Sequence, residues 1–199
     1  MTPDEIASSY DQLADHWNSD AFPRSNGIAQ HERAIAFAEQ RGNAIDIGCG
    51  SSGRIIDLLI DNGFSVEGLD ISPRMLELAR RRHPDVEFHL ADIRNWPLST
   101  EYDFISAWDS IWHVPLADQE PVLTKILQGL KRGGVCIFTT GGLDAAEEKT
   151  DTAMGLPMHY SVLGIPRMLE VISESQCVCR HLEYDQYPEL HVYVIVQRV

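Results

Sequence analysis

The 199-residue chain has few cysteines, few basic residues and no long apolar run. Its four cysteines have no Cys or His partners at zinc-site spacing, so we predict no metal site and expect small apolar side chains in a reducing compartment. No apolar stretch approaches the roughly 20 residues of a membrane span, and the acidic N-terminal sequence lacks a secretory signal's apolar core. These absences predict a cytoplasmic protein without a membrane partner.

Basic residues are outnumbered, since 16 Lys and Arg face 30 Asp and Glu for a net charge of −14. Such a charge repels a phosphate backbone and removes the attraction that dominates most nucleic-acid binding. The basic run Arg80 to Arg82 ends a predicted helix, where positive charge complements the helix dipole. We therefore expect a small-molecule substrate and no nucleic acid. Monomer and homodimer both stay open.

The length and the 44% of hydrophobic residues fit one domain. Alternating strand and helix patterns over 43–140 predict parallel βαβ units with right-handed crossovers. Two later strands, Cys177 to Tyr184 and His191 to Gln197, are joined by a linker too short for a crossover helix, so we predict an antiparallel hairpin. The predicted fold class is α/β, a three-layer Rossmann-like sandwich.

A glycine turn, Gly48-Cys49-Gly50, lies between a predicted buried strand (43–47) and an apolar helix face. Without a Cβ, both glycines can take positive φ and let the backbone approach a ligand closely. The N–H groups at the start of the next helix then point outward for hydrogen bonding. The turn predicts a nucleotide-like ligand.

Residues around the turn separate two classes of ligand. Gly53 completes a GxGxxG spacing and Asp70 lies about 20 residues further on, as in a dinucleotide site. Asp46, directly before the turn, fits that site poorly because a carboxylate gains nothing beside a pyrophosphate. It suits the cationic ammonium and sulfonium of S-adenosylmethionine better, in contact with the methionine part directly or through water.

Other predicted strands also end at acids. Asp70 can accept both hydroxyls of a ribose, and Asp92 can accept from an adenine amino group while Ile93 covers one face of the ring. In an open parallel sheet, ligands bind beyond the carboxyl ends of the strands, where the strand order reverses. We therefore expect these acids, Asp46 and the Trp108-Asp109 corner to meet at one rim.

Successive segments resemble the motifs of the class I S-adenosylmethionine-dependent methyltransferases in their order and spacing. They are Ile45 to Gly50, Gly68 to Leu76, Ala91 to Ile93, Tyr102 to Ile105 and Leu130 to Gly134. The segment Tyr10 to Trp17 is similar to the N-terminal helix that covers the cofactor in that family. Ser52 departs from the pattern, since relatives usually carry another glycine there, and this leaves the contacts of the second half of the turn open.

The resemblance implies a seven-stranded, mostly parallel sheet of order 3-2-1-4-5-7-6 with one antiparallel strand. It also implies an enzyme that transfers a methyl group from S-adenosylmethionine to a small molecule and releases S-adenosylhomocysteine. The acceptor atom can be N, O, S or C. Two alternatives are an NAD(P)-dependent oxidoreductase that uses the same turn and a non-catalytic cofactor-binding module.

Expected site residues follow from these arguments. The predicted cofactor contacts are Tyr10, Trp17, Asp46, Gly48, Cys49, Gly50, Asp70, Ile71, Met75, Asp92, Ile93 and Trp108. His113 is the candidate base because it follows the fourth strand and its ordinary pKa of about 6.5 suits proton acceptance. A packed side chain is the structural alternative. Asp109 is a second catalytic candidate, and His159 and Tyr160 are candidate substrate contacts.

The predicted boundaries divide a single methyltransferase domain, 1–199, into four parts. They are N-terminal cap helices (1–42), a cofactor-binding core (43–140), a substrate lid (141–165) and a last helix with the antiparallel hairpin (166–199). The lid prediction rests on a long irregular segment, because loops of that length in compact domains are usually functional or disordered. A mobile surface loop is the alternative.

Overall fold

A mostly parallel β-sheet forms the centre of the protein in the computed structural model, which describes residues 1–19 and 23–199. Residues 20–22 of the predicted cap region lie outside that description. The strands are β1 (Asn43–Ile47), β2 (Ser65–Asp70), β3 (Glu87–Leu90), β4 (Tyr102–Ala107), β5 (Leu130–Gly141), β6 (Glu147–Asp151), β7 (Met158–Val162), β8 (Cys177–Tyr184) and β9 (His191–Arg198). The helices are α1 (Pro3–Trp17), α2 (Ile28–Ile35), α3 (Arg54–Asp61), α4 (Pro73–Arg82), α5 (Leu116–Gln128) and α6 (Ile165–Glu174), with a short 3₁₀ helix at Ile111–His113.

The large sheet has the order β3-β2-β1-β4-β5-β9-β8. Strands β1 to β5 pair in parallel, whereas β9 is antiparallel to both of its neighbours. Since β6 and β7 form a separate hairpin, β8 and β9 are the sixth and seventh strands of this sheet. Counted that way, the order is 3-2-1-4-5-7-6, and the predicted fold class is confirmed.

Helices cover both faces of the sheet. Phe104 and Ile105, adjacent in β4, face opposite sides because side chains alternate along a strand. Phe104 packs in the apolar cluster that includes residues of α2 and α3, and Ile105 in the one that includes residues of α5 and α6. Both side chains are fully buried. The result is the predicted three-layer arrangement, with the carboxyl ends of the parallel strands at one edge.

The segment 141–165 is more ordered than the sequence suggested. It contains the antiparallel pair β6 and β7, in which Thr150 lies opposite His159. The buried Ser161 hydroxyl of β7 donates to the Val114 carbonyl at 2.5 Å and accepts from Gln119 Nε2 at 2.9 Å. These bonds anchor the hairpin beside the 3₁₀ helix. Strand β6 is almost entirely charged and exposed, which explains why no strand pattern was visible there.

No helix among the described residues is long and apolar enough to cross a membrane.

Candidate active site

A cavity opens at the carboxyl edge of the sheet, beside the ends of β1, β2 and β4. It holds about 1230 Å³ of empty space, counting the open solvent at its mouth. The predicted residues that line it are Tyr10, Trp17, Gly48, Cys49, Gly50, Asp70, Ile71, Met75, Asp92, Ile93, Trp108, Asp109, His113 and Tyr160. Asp46 and His159 are not among its lining residues.

The glycine turn needs glycine at two positions for different reasons. Gly48 has φ +73°, and a Cβ there would lie 2.3 Å from Ser110 Cβ. Ser110 is itself fixed, since its hydroxyl donates to the Ile47 carbonyl at 2.7 Å. Gly50 has φ +59°, but a Cβ there would meet no described atom within 4 Å. The space beside Gly50 is therefore open to a ligand.

Asp70 is held against this turn by backbone donors. Its Oδ2 accepts from the Gly50 N–H and its Oδ1 from the Ser72 N–H, both at 2.8 Å. Burial raises the pKa of the Asp70 carboxyl, and these backbone hydrogen bonds oppose the rise. A carboxylate fixed in this way at the cavity wall is oriented before any ligand arrives.

The second half of the turn contributes an unsatisfied hydroxyl. Ser51 lines the cavity and is 1% exposed, and its Oγ has no hydrogen-bond partner among the described residues. Leaving such a group unpaired costs about 1–3 kcal/mol, so a polar ligand atom would find a ready partner here. The hydroxyl of the next residue, Ser52, accepts instead from Arg54 Nη1 at 2.7 Å. The site thus fits a ligand with polar atoms beside the turn.

Asp46 lies behind the turn and is only 3% exposed. Burial raises its pKa to about 6, although a hydrogen bond with the Ser106 hydroxyl lowers it in part. The same hydroxyl lies 3.1 Å from His31 Nε2, and His31 Nδ1 lies 2.7 Å from the Gly27 carbonyl oxygen. Burial lowers the pKa of His31 to about 4. A contact between Asp46 and a cofactor stays a prediction.

Asp92 lines the cavity but is engaged with a neighbour. Its Oδ1 accepts from the Arg94 backbone N–H at 2.9 Å and its Oδ2 from Arg94 Nε at 2.8 Å. Arg94 also pairs with Asp118 at 3.0 Å. The hydrogen bond from the Arg94 backbone and the ion pair with the Arg94 side chain together orient Asp92. Its contact with an adenine stays a prediction.

His113 is surrounded by protein partners. Its Nδ1 lies 2.6 Å from the His159 carbonyl, which can only accept, so Nδ1 carries the hydrogen. Its Nε2 then accepts from the Tyr10 hydroxyl at 2.7 Å and from Trp112 Nε1 at 3.0 Å. Burial lowers the pKa of His113 to about 4. A role as base, which stays a prediction, requires those two donors to move away first.

Asp109 has an unusual backbone conformation for a residue other than glycine, with φ +52°. Its N–H donates to Thr139 Oγ1 at 2.8 Å, and its Oδ1 lies 3.0 Å from His191 Nε2. On the other side of the ring, His191 Nδ1 lies 2.5 Å from Asp185 Oδ1. Gln30 Nε2 donates to Asp185 Oδ2 at 2.9 Å. This series of contacts connects the cavity wall to the turn between β8 and β9.

The histidine between the two acids carries charge readily. Burial by itself lowers the pKa of His191, but its hydrogen bonds to Asp109 and Asp185 outweigh that effect and raise it. The sequence analysis missed both His191 and Asp185. Topology offered a signal: β9 is antiparallel, so its first residue lies at the same edge as the carboxyl ends of the parallel strands.

Trp112 also lines the cavity, and it was not predicted from the sequence either. Its ring centroid lies 6.1 Å from that of Tyr160 and 5.5 Å from that of His191. Together with Tyr10 and His113 it gives one half of the cavity an aromatic wall. The other half consists of the glycine turn and Asp70.

The chain is similar to known proteins in sequence and in fold. Residues 44–134 match the family model described as a methyltransferase domain. Over these residues the chain is similar to the class I S-adenosylmethionine-dependent methyltransferases. This confirms the resemblance found in the sequence, and the matched residues run from the glycine-turn strand to the start of β5.

Several curated proteins are similar in sequence to this chain. A dTDP-3-amino-3,6-dideoxy-alpha-D-glucopyranose N,N-dimethyltransferase of Streptomyces fradiae is 31% identical over 55% of this chain and 42% of its own length. A malonyl-[acyl-carrier protein] O-methyltransferase of Enterobacter lignolyticus is 31% identical over 72% of this chain and 56% of its own length. A trans-aconitate 2-methyltransferase of Rhizobium etli is 35% identical over 46% of this chain and 36% of its own length. The chain thus spans about half the length of these relatives or less.

Solved structures share the fold over nearly the whole chain. A methyltransferase from Clostridium acetobutylicum has a TM-score of 0.71 at 13% identity, covering 96% of this chain and 99% of that one. The CcbJ methyltransferase from Streptomyces caelestis has a TM-score of 0.74 at 15% identity, covering 100% of both chains. DhpI in complex with SAH has a TM-score of 0.71 at 20% identity, covering 98% and 96%.

Proposed function

We propose that this protein is a methyltransferase that binds S-adenosylmethionine in the cavity at the carboxyl edge of the sheet and methylates a small molecule, releasing S-adenosylhomocysteine. The observation that carries the proposal is the meeting of the open glycine turn, the oriented carboxylate of Asp70 and the unsatisfied hydroxyl of Ser51. The relatives described above support it, since DhpI, solved in complex with SAH, shares the fold, and the named N- and O-methyltransferases are similar in sequence.

Different residues bind different parts of the cofactor. Asp70 accepts the ribose hydroxyls, and the open space beside Gly50 lets the backbone approach the ligand. Met75 and Ile93 provide apolar walls for the adenine. When bound, the cofactor supplies a methyl group on a sulfonium, whose positive charge the acidic cavity favours.

The remaining residues must hold the acceptor in line and exclude water. The helix α1 and the hairpin β6–β7 contribute to this enclosure. Tyr10 of α1 bonds to His113, and the Ser9 hydroxyl donates to the Pro157 carbonyl at 3.0 Å. We therefore assign the substrate-lid function to segment 141–165, of which the aromatic ring of Tyr160 lines the cavity.

We also retain a cytoplasmic location and a small-molecule acceptor as proposals. All four cysteines are free thiols, as expected for a reducing compartment. The net charge of −14 disfavours a nucleic-acid substrate.

A thermal-shift comparison tests the proposed function. The purified chain is heated with S-adenosylhomocysteine, with S-adenosylmethionine and with NADH at equal concentrations. We expect both sulfur nucleosides to raise the melting temperature and NADH to leave it unchanged, because a ligand that binds only the folded state stabilises it. A rise with NADH alone contradicts the proposal. Transfer of a labelled methyl group to a metabolite pool then separates an enzyme from a binding module.

A further inference from the structure

Asp109 is the carboxylate of the cavity best placed to meet a second ligand. Its side chain is 29% exposed and lines the cavity. Only its Oδ1 is engaged, by His191, and within the described residues its Oδ2 has no hydrogen-bond partner. Asp70 and Asp92 differ, since backbone donors or Arg94 occupy both oxygens of each.

The protein holds this carboxylate in one orientation. Its backbone has the left-handed conformation and is bonded to Thr139. His191 donates to it and is itself held by Asp185, whose other oxygen accepts from Gln30. Both ring nitrogens of His191 face carboxylate oxygens, which can only accept, so both carry hydrogen and the ring is a cation between two anions. These three groups together carry one negative charge, and Asp109 is the member that lines the cavity; the cationic Arg54, also in the lining, is attracted to it.

Aromatic rings surround the same side of the cavity. The Trp112 ring lies between those of His191, at 5.5 Å, and Tyr160, at 6.1 Å, measured between centroids. Aromatic faces attract cations, and a carboxylate binds the N–H groups of amines. This combination suits a nitrogen acceptor that carries positive charge before or after methylation.

An anionic acceptor finds no comparable partner in the described lining. The two guanidinium groups in this lining belong to Arg54 and Arg94. Arg54 donates to the Asn26 carbonyl at 2.8 Å and to the Ser52 hydroxyl at 2.7 Å. Arg94 pairs with Asp92 and Asp118. Both are therefore engaged with protein acceptors, while Asp109 repels a carboxylate.

We propose that the acceptor is an amine whose N–H binds Asp109 Oδ2, with His191 and Asp185 as positioning residues. The proposal rests on the proposed function and narrows the acceptor atom to nitrogen. The lone pair of the neutral amine forms the N–C bond, the C–S electron pair returns to sulfur, and the positive charge passes to the nitrogen. Asp109 stabilises that charge until a proton leaves to water. The relatives include both N- and O-methyltransferases, so similarity to them alone does not make this choice.

Three pools of small molecules test the proposal. The purified full chain is incubated with methyl-labelled S-adenosylmethionine and, separately, with primary and secondary amines, with alcohols and phenols, and with carboxylic acids. We expect label in the amine pool, on products retained by a cation exchanger. Label only in the carboxylic-acid or alcohol pool overturns the proposal, as does an unlabelled amine pool when S-adenosylhomocysteine binds. Failure of S-adenosylhomocysteine to bind overturns the proposed function instead.

Asp109→Asn tests the residue, because Asn adopts the left-handed conformation as readily as Asp does. The substrate is the amine that acquires label in the pool experiment. We expect kcat/KM for this amine to fall roughly ten- to a hundredfold in Asp109→Asn, as for a lost charged hydrogen bond. Calorimetry should give the same affinity for S-adenosylhomocysteine within about twofold. Asp61→Asn, which removes the same charge from the exposed end of α3, should change neither quantity. A tenfold loss of S-adenosylhomocysteine affinity in Asp109→Asn shows that Asp109 binds the cofactor and overturns the proposal.

Two variants at His191 test positioning. His191→Gln keeps an N–H that can donate to Asp109, whereas His191→Leu removes it. We expect the KM for the amine to rise at least tenfold in His191→Leu and less than about threefold in His191→Gln, with unchanged S-adenosylhomocysteine affinity in both. Equal effects of the two variants refute a positioning role. If His191→Leu does not fold, a tenfold rise in His191→Gln refutes it instead.

Discussion

Single residues of this protein show that burial determines both the charge of a side chain and whether it is free to bind a ligand. Asp46 and His113 were both expected to act in the site, yet each is bonded to protein groups. Burial raises the pKa of Asp46 and lowers that of His113, so it favours the neutral form of each side chain. A sequence identifies residue types that can do chemistry, but it does not reveal the hydrogen bonds that already occupy them.

Asp46→Asn should stabilise the protein at neutral pH. The folded pKa of about 6 lies above the ordinary value of 3.8, so the folded state binds more protons and loses stability as the pH rises between these values. Once Asp46 is fully deprotonated in the folded state, the loss in the free energy of unfolding is about 3 kcal/mol, because one pKa unit corresponds to 1.36 kcal/mol. Asn carries no charge and can donate to Ser106, as protonated Asp46 can.

Urea denaturation of both proteins between pH 4.5 and pH 8 measures this effect. The variant should gain stability relative to the parent as the pH rises, with the largest difference at pH 8. A difference that does not vary with pH contradicts the raised pKa of Asp46.

At the scale of elements, strands with apolar patterns were predictable and a charged one was not. The strand at 43–47 and the pairing of the last two strands follow the sequence expectations. The alternating pattern predicted over 43–140 ends in the structure with β5, Leu130–Gly141. Strand β6 was missed because its residues are exposed and polar, so they pair only through the partner strand β7.

One of the groups that anchor the hairpin β6–β7 is the buried hydroxyl of Ser161. Ser161→Ala removes the donor to the Val114 carbonyl and the acceptor for Gln119. We expect a loss of about 0.5–1.5 kcal/mol per hydrogen bond in the free energy of unfolding, the net contribution of an ordinary hydrogen bond, because Gln119 Nε2 and the Val114 carbonyl remain bonded to each other at 3.1 Å. Urea denaturation measures it. Ser173→Ala, at an exposed position of α6, is the matched control and should change stability by less than about 0.5 kcal/mol. Equal stability of the two variants shows that Ser161 does not anchor the hairpin.

For the whole molecule, the sheet topology determines which distant residues meet. Parallel strands bring the glycine turn, Asp70 and Asp109 to one edge, and this convergence was predictable because open α/β sheets bind ligands there. The antiparallel β9 brings His191 to the same edge, which becomes clear only once its pairing with β5 is known. The aromatic half of the cavity depends on tertiary contacts of the 3₁₀ helix, α1 and the hairpin, and local sequence patterns do not encode these contacts.

The central claim is that the glycine turn and Asp70 bind the nucleoside part of the cofactor. Calorimetric titration of S-adenosylhomocysteine into the parent chain and into Asp70→Asn tests this claim. We expect one site in the parent and an affinity roughly ten- to a hundredfold lower in Asp70→Asn, the effect of a lost charged hydrogen bond. Asp61→Asn should bind like the parent, and melting curves should show all three proteins folded. No binding by the parent, or equal binding by a folded Asp70→Asn, contradicts the account.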